Sequence, residues 1–218
     1  MDDRAKSTIV KTASAIILAG GRSSRMGQPK ATLRLGGRAL IERTIAELAR
    51  AFDDIVVVTA PESEAIELPA VGAATIVHDD TAYQGPVGAL ARGLRAARHE
   101  LAFACSCDLP MLRSEVASWL ASLADGFDAA IPQVGGRLQL LHAVYRRRCA
   151  VALDAMLASG ERRLSAIAEE GNSGISSGIL IRIVTEAEYR GADPEALSCF
   201  NLNTPADYAR ALKLTDKE

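Results

Sequence analysis

The sequence predicts an α/β protein built on a doubly wound, mostly parallel sheet with helices on both faces. Short β-branched apolar runs recur along the chain, and amphipathic stretches of helical period separate them. Such alternation implies parallel pairing, because parallel neighbours cannot be joined by a tight turn. The third observation is size: 218 residues, 49% hydrophobic and 24% charged, suit one globular α/β domain with a sizeable core.

Residues 1–12 are polar and are read as a flexible N-terminal tail ahead of a single domain over 13–214. "SAIILAG" (14–20) reads as a buried strand stopped by Gly20 and Gly21. In the stretch 40–52, Leu40, Ile41, Ile45, Leu48 and Phe52 fall near one helical face, with Glu42, Arg43, Glu47 and Arg50 largely on the other. "DIVVVTA" (54–60), "ATIVHDD" (74–80) and "LAFACSCD" (101–108) are the next strands, with helices expected at 85–98 and 114–125. Beyond Asp128 the pattern changes. "DAAIPQVGGRLQLLHAVYRR" resembles two strands around Gly135-Gly136, so an antiparallel strand is expected in the second half. Short helices near 149–159 and 162–170, a strand near "ILIRIV" and a last helix after "NLNTP" complete the chain.

A net charge of −2 gives no bulk attraction to nucleic acid or to an acidic membrane, so any anion must be held locally. The apolar run 15–19 is too short to span a bilayer and no secretory leader is apparent, which points to a cytoplasmic protein. Cys105, Cys107, Cys149 and Cys199 form no CxxC pair and read as reduced structural thiols.

The chemistry concentrates after the first strand, in "LAGGRSSRMGQPK". Neither GxGxxG nor a P-loop can be aligned to it. The loop nevertheless leaves the strand end where open α/β sheets bind ligands. Gly20 and Gly21 allow the backbone to approach an anion, and Arg22, Arg25 and Lys30 supply three cations with no carboxylate between Ala19 and Ala31. A triphosphate matches that imbalance. The eighteen residues from Gly20 to Gly37 also make a long loop without a helix signal, a length usually associated with function. Asp108, at the end of its strand, shares this edge and is a hard oxygen ligand of the kind that holds Mg²⁺ beside substrate phosphates. "HDD" ends the preceding strand in the same way. Asn201 and Asn203 stand two apart, so on an extended segment both amides face one way and offer donors and acceptors to a heterocycle edge.

LAGGxSxRMGxxK, followed by a glycine turn and an amphipathic helix, resembles the signature of sugar-nucleotide-type nucleotidyltransferases. With "YQGPVGAL", "CSCDLPML", "LHAVYRR", "GERRL" and "FNLNTPADY" in the same order, the chain is similar to the molybdenum cofactor guanylyltransferase family. The resemblance implies a Rossmann-like fold of the nucleotide-diphospho-sugar transferase type, with a first half that binds NTP and a second half that binds the acceptor. It implies Mg²⁺-dependent transfer of GMP from GTP to molybdopterin or the molybdenum cofactor with release of pyrophosphate. Other cofactor-biosynthesis proteins or acceptor molybdoenzymes are the implied protein partners; nucleic acid and membrane are not.

Carried over residue by residue, Arg25, Lys30 and Asp108 are the catalytic group. Leu18, Ala19, Gly20, Gly21, Arg25, Lys30 and Asp79 contact the nucleotide, and Asp108 holds the metal. His142, Arg163, Asn201 and Asn203 bind the acceptor. Pro29 before Lys30 is more typical of the related cytidylyltransferases, and an asparagine that the guanylyltransferases often place after the second strand is lacking after Val58, so a cytidylyl or other NTP transferase stands as the alternative. A non-catalytic module that carries the cofactor is the farther one. Gly20-Gly21 and the two asparagines favour guanine.

Overall fold

Strands and helices alternate as β1 (Ala13–Leu18), β2 (Arg34–Leu35), β3 (Arg38–Ala39), α1 (Leu40–Leu48), β4 (Ile55–Thr59), β5 (Thr75–His78), α2 (Gly85–Ala96), β6 (Leu101–Ser106), α3 (Ser114–Ser122), β7 (Ala129–Val134), β8 (Arg137–Leu138), β9 (His142–Arg146), α4 (Cys149–Ala158), β10 (Ile181–Val184), α5 (Glu186–Ala192) and α6 (Pro205–Thr215). The computed structural model describes residues 12–20, 30–62, 68, 72–79, 85–169 and 178–215. Residues 1–11 of the expected tail over 1–12, and residues 21–29 of the glycine-rich loop, lie outside them.

The main sheet runs β5-β4-β1-β6-β9-β7-β10, with β8 paired to β7. β5, β4, β1 and β6 are mutually parallel. The expected antiparallel strand is β9, inserted between β6 and β7 and antiparallel to both. Gly135 and Gly136, at φ 58° and 72°, make the two-residue turn from β7 to β8, a conformation that favours glycine at both positions.

Strand alternation divides the core into two layers. Ala15, Ile17, Ile55, Val57, Phe103 and Cys105 face one side, where Ile41 and Leu48 of α1 and Val116 and Leu120 of α3 cover them. Ile16, Leu18, Val56, Val58, Ala102 and Ala104 face the other, against Leu90 and Leu94 of α2 and Leu153 and Met156 of α4. Burial of this kind contributes about 1.5–3 kcal/mol per large aliphatic side chain. All four cysteines are buried free thiols. Burial pushes the Cys107 thiol up to about 12, which keeps it protonated.

Two departures from the sequence reading bear on the site. The segment expected to be structureless up to Gly37 is ordered from Lys30 onward. A single 3₁₀ turn at Lys30–Thr32 leads into the β2–β3 hairpin, turned at Gly36 and Gly37 with φ of 59° and 80°. A small third core explains this order, since Leu33, Leu35 and Leu40 pack with Leu202 and Ala211 under partly buried Phe200 and Tyr208. The Tyr208 hydroxyl donates to the Arg34 carbonyl at 2.7 Å. The other departure is α5, opened by Thr185 as N-cap, whose hydroxyl accepts from the Glu188 N–H while the Glu188 carboxylate accepts from the Thr185 N–H.

Close contact between α2 and the sheet yields a paired prediction. A Cβ on Gly93 would stand 2.5 Å from Ile16 Cγ2 and 3.1 Å from Val58 Cγ2, whereas one on Gly191 in α5 would meet nothing within 4 Å. Overpacking costs about 1–3 kcal/mol, against roughly 1 kcal/mol gained from alanine's helix propensity. Gly93→Ala is therefore expected to lose about 1 kcal/mol of unfolding free energy and Gly191→Ala to gain about 0.5–1 kcal/mol, both read by urea denaturation.

Candidate active site

The C-terminal edge of the parallel strands collects the polar residues. Beyond β6 the chain turns at Cys107-Asp108, pinned by the Cys107 N–H on the Leu18 carbonyl at 3.2 Å and by the Leu202 N–H on the Asp108 carbonyl at 2.9 Å. These two bonds tie the end of β1, the Asp108 turn and the 201–203 segment together. Leu202 is wholly buried in the third core, so Asn201 and Asn203 both turn the opposite way, as an extended segment requires.

At the centre lies the Asp108 carboxylate, on a residue only 8% exposed. Lys30 Nζ approaches its Oδ2 at 2.6 Å and the Asn203 Oδ1 at 2.8 Å. The Ser106 hydroxyl donates to Asp108 Oδ1 and lies 3.5 Å from Asn201 Oδ1. The Asn201 amide is oriented by its Nδ2, which donates to the Cys199 carbonyl at 3.2 Å. Helix capping does not claim Asn203's side chain. Thr204 is the N-cap of α6, its hydroxyl accepting from the Asp207 N–H at 3.1 Å, while Asp207 accepts from the Asn203 and Thr204 N–H groups.

This donor set fits a hard divalent cation. Oxygens of Asp108, Asn201, Asn203 and Ser106 converge, and the Lys30 ammonium stands as a monovalent cation between Asp108 and Asn203. Among the described residues no group of three or more His, Cys, Asp and Glu could form an all-protein metal cage. Magnesium is commonly bound through one or two carboxylates plus substrate phosphates and water, and Asp108 offers such a carboxylate.

The other residues singled out in the sequence are distributed as follows. Leu18 and Ala19 are buried, and the Ala19 N–H is committed to the Val58 carbonyl at 2.8 Å. Gly20 is exposed, and a Cβ there would come within 3.3 Å of the Ala60 amide nitrogen, so its small size serves the approach of two backbones. Gly21 and Arg25 lie outside the described residues, as do Arg22 and Asp80. Asp79 follows β5, its N–H on the Thr59 carbonyl at 3.0 Å. It stands three strands from the β6 end in the order β5-β4-β1-β6, roughly 14 Å at about 4.8 Å per strand. That separation rules out a shared metal with Asp108 and leaves Asp79 within the span of a nucleotide laid along the edge.

Two expected acceptor residues are not brought to the cluster. The Arg163 guanidinium forks onto Glu161, with Nη2 to Oε2 at 2.8 Å and Nε to Oε1 at 3.3 Å. These contacts, with the Arg163 N–H, hold the Glu161 carboxyl down to about 2. Its turn sits at the N-terminus of α2, where a Cβ on Gly85 would lie 3.2 Å from the Arg162 carbonyl. His142 departs furthest from expectation. It is 1% exposed, edge-on to Phe103 and 2.9 Å from the Tyr189 hydroxyl, so it has no surface to offer an acceptor. Burial lowers its pKa to about 3 and keeps the imidazole neutral. Ser106 was missed in the sequence; the signal was a polar residue closing the apolar strand LAFACS two positions before Asp108.

With this geometry described, comparison with known proteins is informative. Residues 15–173 match the model of the MobA-like NTP transferase domain. The chain belongs to that family. A probable molybdenum cofactor guanylyltransferase of Pelotomaculum thermopropionicum is 31% identical over 201 residues, 91% of each chain. A protein of the same description from Methanosarcina acetivorans is 32% identical over 210 residues, covering 90% of this chain and 88% of the relative. The crystal structure of molybdopterin-guanine dinucleotide biosynthesis protein A from Archaeoglobus fulgidus superimposes with a TM-score of 0.79 at 25% identity, over 94% of this chain and all of the other. Asn201 and Asn203 lie beyond the matched domain and reach the site only through the fold.

The buried histidine predicts a pH effect. Its folded pKa lies below the 6.5 of an exposed imidazole, so its contribution to stability is complete above pH 6.5 and is lost as pH falls toward 3. Between pH 6 and 4 the unfolding free energy of the native protein should fall more steeply than that of His142→Leu, by up to about 1.4 kcal/mol per pH unit. Urea titrations at several pH values compare the two slopes.

Proposed function

We propose that this protein transfers GMP from GTP to molybdopterin or its metal-loaded form, releasing pyrophosphate. The observation that carries the reading is the convergence of Lys30, Asp108 and Asn203 at the C-terminal edge of β1 and β6, in a chain of the MobA-like NTP transferase family. The guanylyltransferase relatives named above support guanine over cytosine, and so do Asn201 and Asn203.

In this reading the nucleotide lies along the edge from Asp79 to Asp108, across the loop that follows Gly20. Asp108 would hold Mg²⁺ with the Asn203 amide oxygen beside it, and the ion would supply charge neutralisation at the phosphates and stabilise pyrophosphate as leaving group. Lys30 exchanges its carboxylate partner for a phosphate oxygen of the bound triphosphate, assisted by Arg25 and by backbone N–H groups at Gly20 and Gly21. The terminal phosphate of the acceptor attacks the α-phosphorus in line, and no covalent enzyme intermediate is required. Catalysis then consists of positioning and fixed charge. The 201–203 segment, which borders this point, contributes to the acceptor side, as does Arg163 from the far rim once released from Glu161. The first half of the single domain serves the nucleotide and the second half the acceptor. No helix among the described residues is long and apolar enough to cross a membrane. We take the site of action to be cytoplasmic.

The test is pyrophosphate release with each NTP in the presence of Mg²⁺ and molybdopterin. GTP should be the substrate and release should require the acceptor. Preference for CTP would transfer the assignment to the cytidylyl enzymes, and tight binding without pyrophosphate would leave a carrier. Lys30→Ala should lower kcat by roughly a hundredfold to a thousandfold, the loss typical of one preorganised charge-stabilising contact. Lys30→Arg should not restore it, because a planar guanidinium cannot replace a compact ammonium between Asp108 and the phosphates.

A further inference from the structure

We infer that Ser106 is a positioning residue that holds the Asp108 carboxylate in the orientation required to take a divalent cation. The inference rests on the reading of Asp108 as the metal ligand. Ser106 closes β6, a strand otherwise composed of apolar residues, and stands half-buried two positions before Asp108. Its hydroxyl carries one proton and donates it to Asp108 Oδ1, while Lys30 occupies Oδ2. The two carboxylate oxygens are thus held by different kinds of donor, one on a short side chain of a central strand and the other at the end of a long lysine stem.

That difference matters whenever Lys30 leaves Oδ2, whether drawn to a phosphate or displaced by a divalent cation. Oδ2 then loses its donor, and a carboxylate tethered only through its backbone would be free to rotate about χ2. The Ser106 bond keeps Oδ1 in place, so Oδ2 continues to face Asn203. A serine hydroxyl is also neutral, and orients the carboxylate without competing with a cation for its charge. The second oxygen near Ser106, Asn201 Oδ1 at 3.5 Å, is turned toward it by the Asn201–Cys199 bond.

A purely architectural role is already filled by other bonds. The turn is held through backbone groups: Ser106 N–H to the Leu141 carbonyl at 3.3 Å, Cys107 N–H to Leu18 and Leu202 N–H to Asp108. None of these uses the Ser106 side chain. Residues that orient a metal ligand typically change metal affinity by about 10- to 100-fold when removed.

The experiment measures Mn²⁺ binding to the full chain, without nucleotide or acceptor, from loss of the free-ion electron paramagnetic resonance signal. Ser106→Ala is expected to raise the Mn²⁺ Kd about tenfold or more, and Ser106→Thr, which keeps the hydroxyl, to stay within about threefold of native. Asp108→Asn should abolish the binding. In transfer assays, Ser106→Ala should raise the Mg²⁺ concentration for half-maximal rate while recovering most of kcat at saturating Mg²⁺. Should Ser106→Ala bind Mn²⁺ like the native protein while Asp108→Asn does not, the positioning role is wrong and the metal-ligand reading stands. A lower melting temperature with an unchanged Kd would likewise overturn it in favour of a packing role. If Asp108→Asn binds Mn²⁺ as well as native protein does, the reading of Asp108 itself fails.

Discussion

A carboxylate as buried as that of Asp108 needs hydrogen-bond donors around it, and the edge of the sheet is built around meeting that requirement. Two side-chain donors come from different parts of the chain: Ser106 from the strand that delivers Asp108, and Lys30 from the 3₁₀ turn after the glycine-rich loop. The Asp108 backbone carbonyl takes a third, the N–H of Leu202. Each donor is anchored in apolar packing. Lys30 stands three residues before Leu33, and Leu202 fills the same small core as Leu33 and Leu35. The polar cluster and its apolar support are parts of one arrangement, and neither would hold its geometry without the other.

The antiparallel insertion of β9 has a comparable organising effect. β9 runs against β6, so it ends at the opposite edge of the sheet, and α4 must cross back over the second core layer. That return delivers the turn carrying Arg163 to the N-terminus of α2. The edge is therefore bordered on one side by the Arg163 turn and on the other by the 201–203 segment. Asp128, at the foot of β7, secures the inserted region through Arg148 and through the Leu180 N–H at 2.8 Å. The Arg148 guanidinium holds the Asp128 carboxyl below the usual carboxylate range, so the pair persists through mildly acidic conditions.

Much of this was legible in the sequence because the periodicities are strong. β1, β4 and β6 are short apolar runs with both faces buried, and α2 and α3 carry clear apolar stripes. α5 escaped notice because it has seven residues and only Tyr189 is buried, leaving no stripe to detect, although Thr185 and Glu188 had the spacing of a capping box. The burial of His142 follows from its place in β9. In a strand of period two it shares a face with Val144, and that face is core. Asp108 and the loop that leads to Lys30 could be assigned to one edge, but the direct meeting of Lys30 with Asp108 and Asn203 could not. It depends on the hairpin and α6 folding onto one another, a contact that no local pattern encodes.

Lys30 is separated from Asp108 by 78 positions and from Asn203 by 173. During synthesis the central strands are complete and able to pair well before the 201–203 segment has been made, so the polar cluster is among the last features to assemble. A chain interrupted before residue 201 could still bury most of the two large core layers, yet it would lack Asn201, Asn203 and the Leu202 bond to Asp108. Competence for chemistry is in this way deferred until residues 201–203 have left the ribosome.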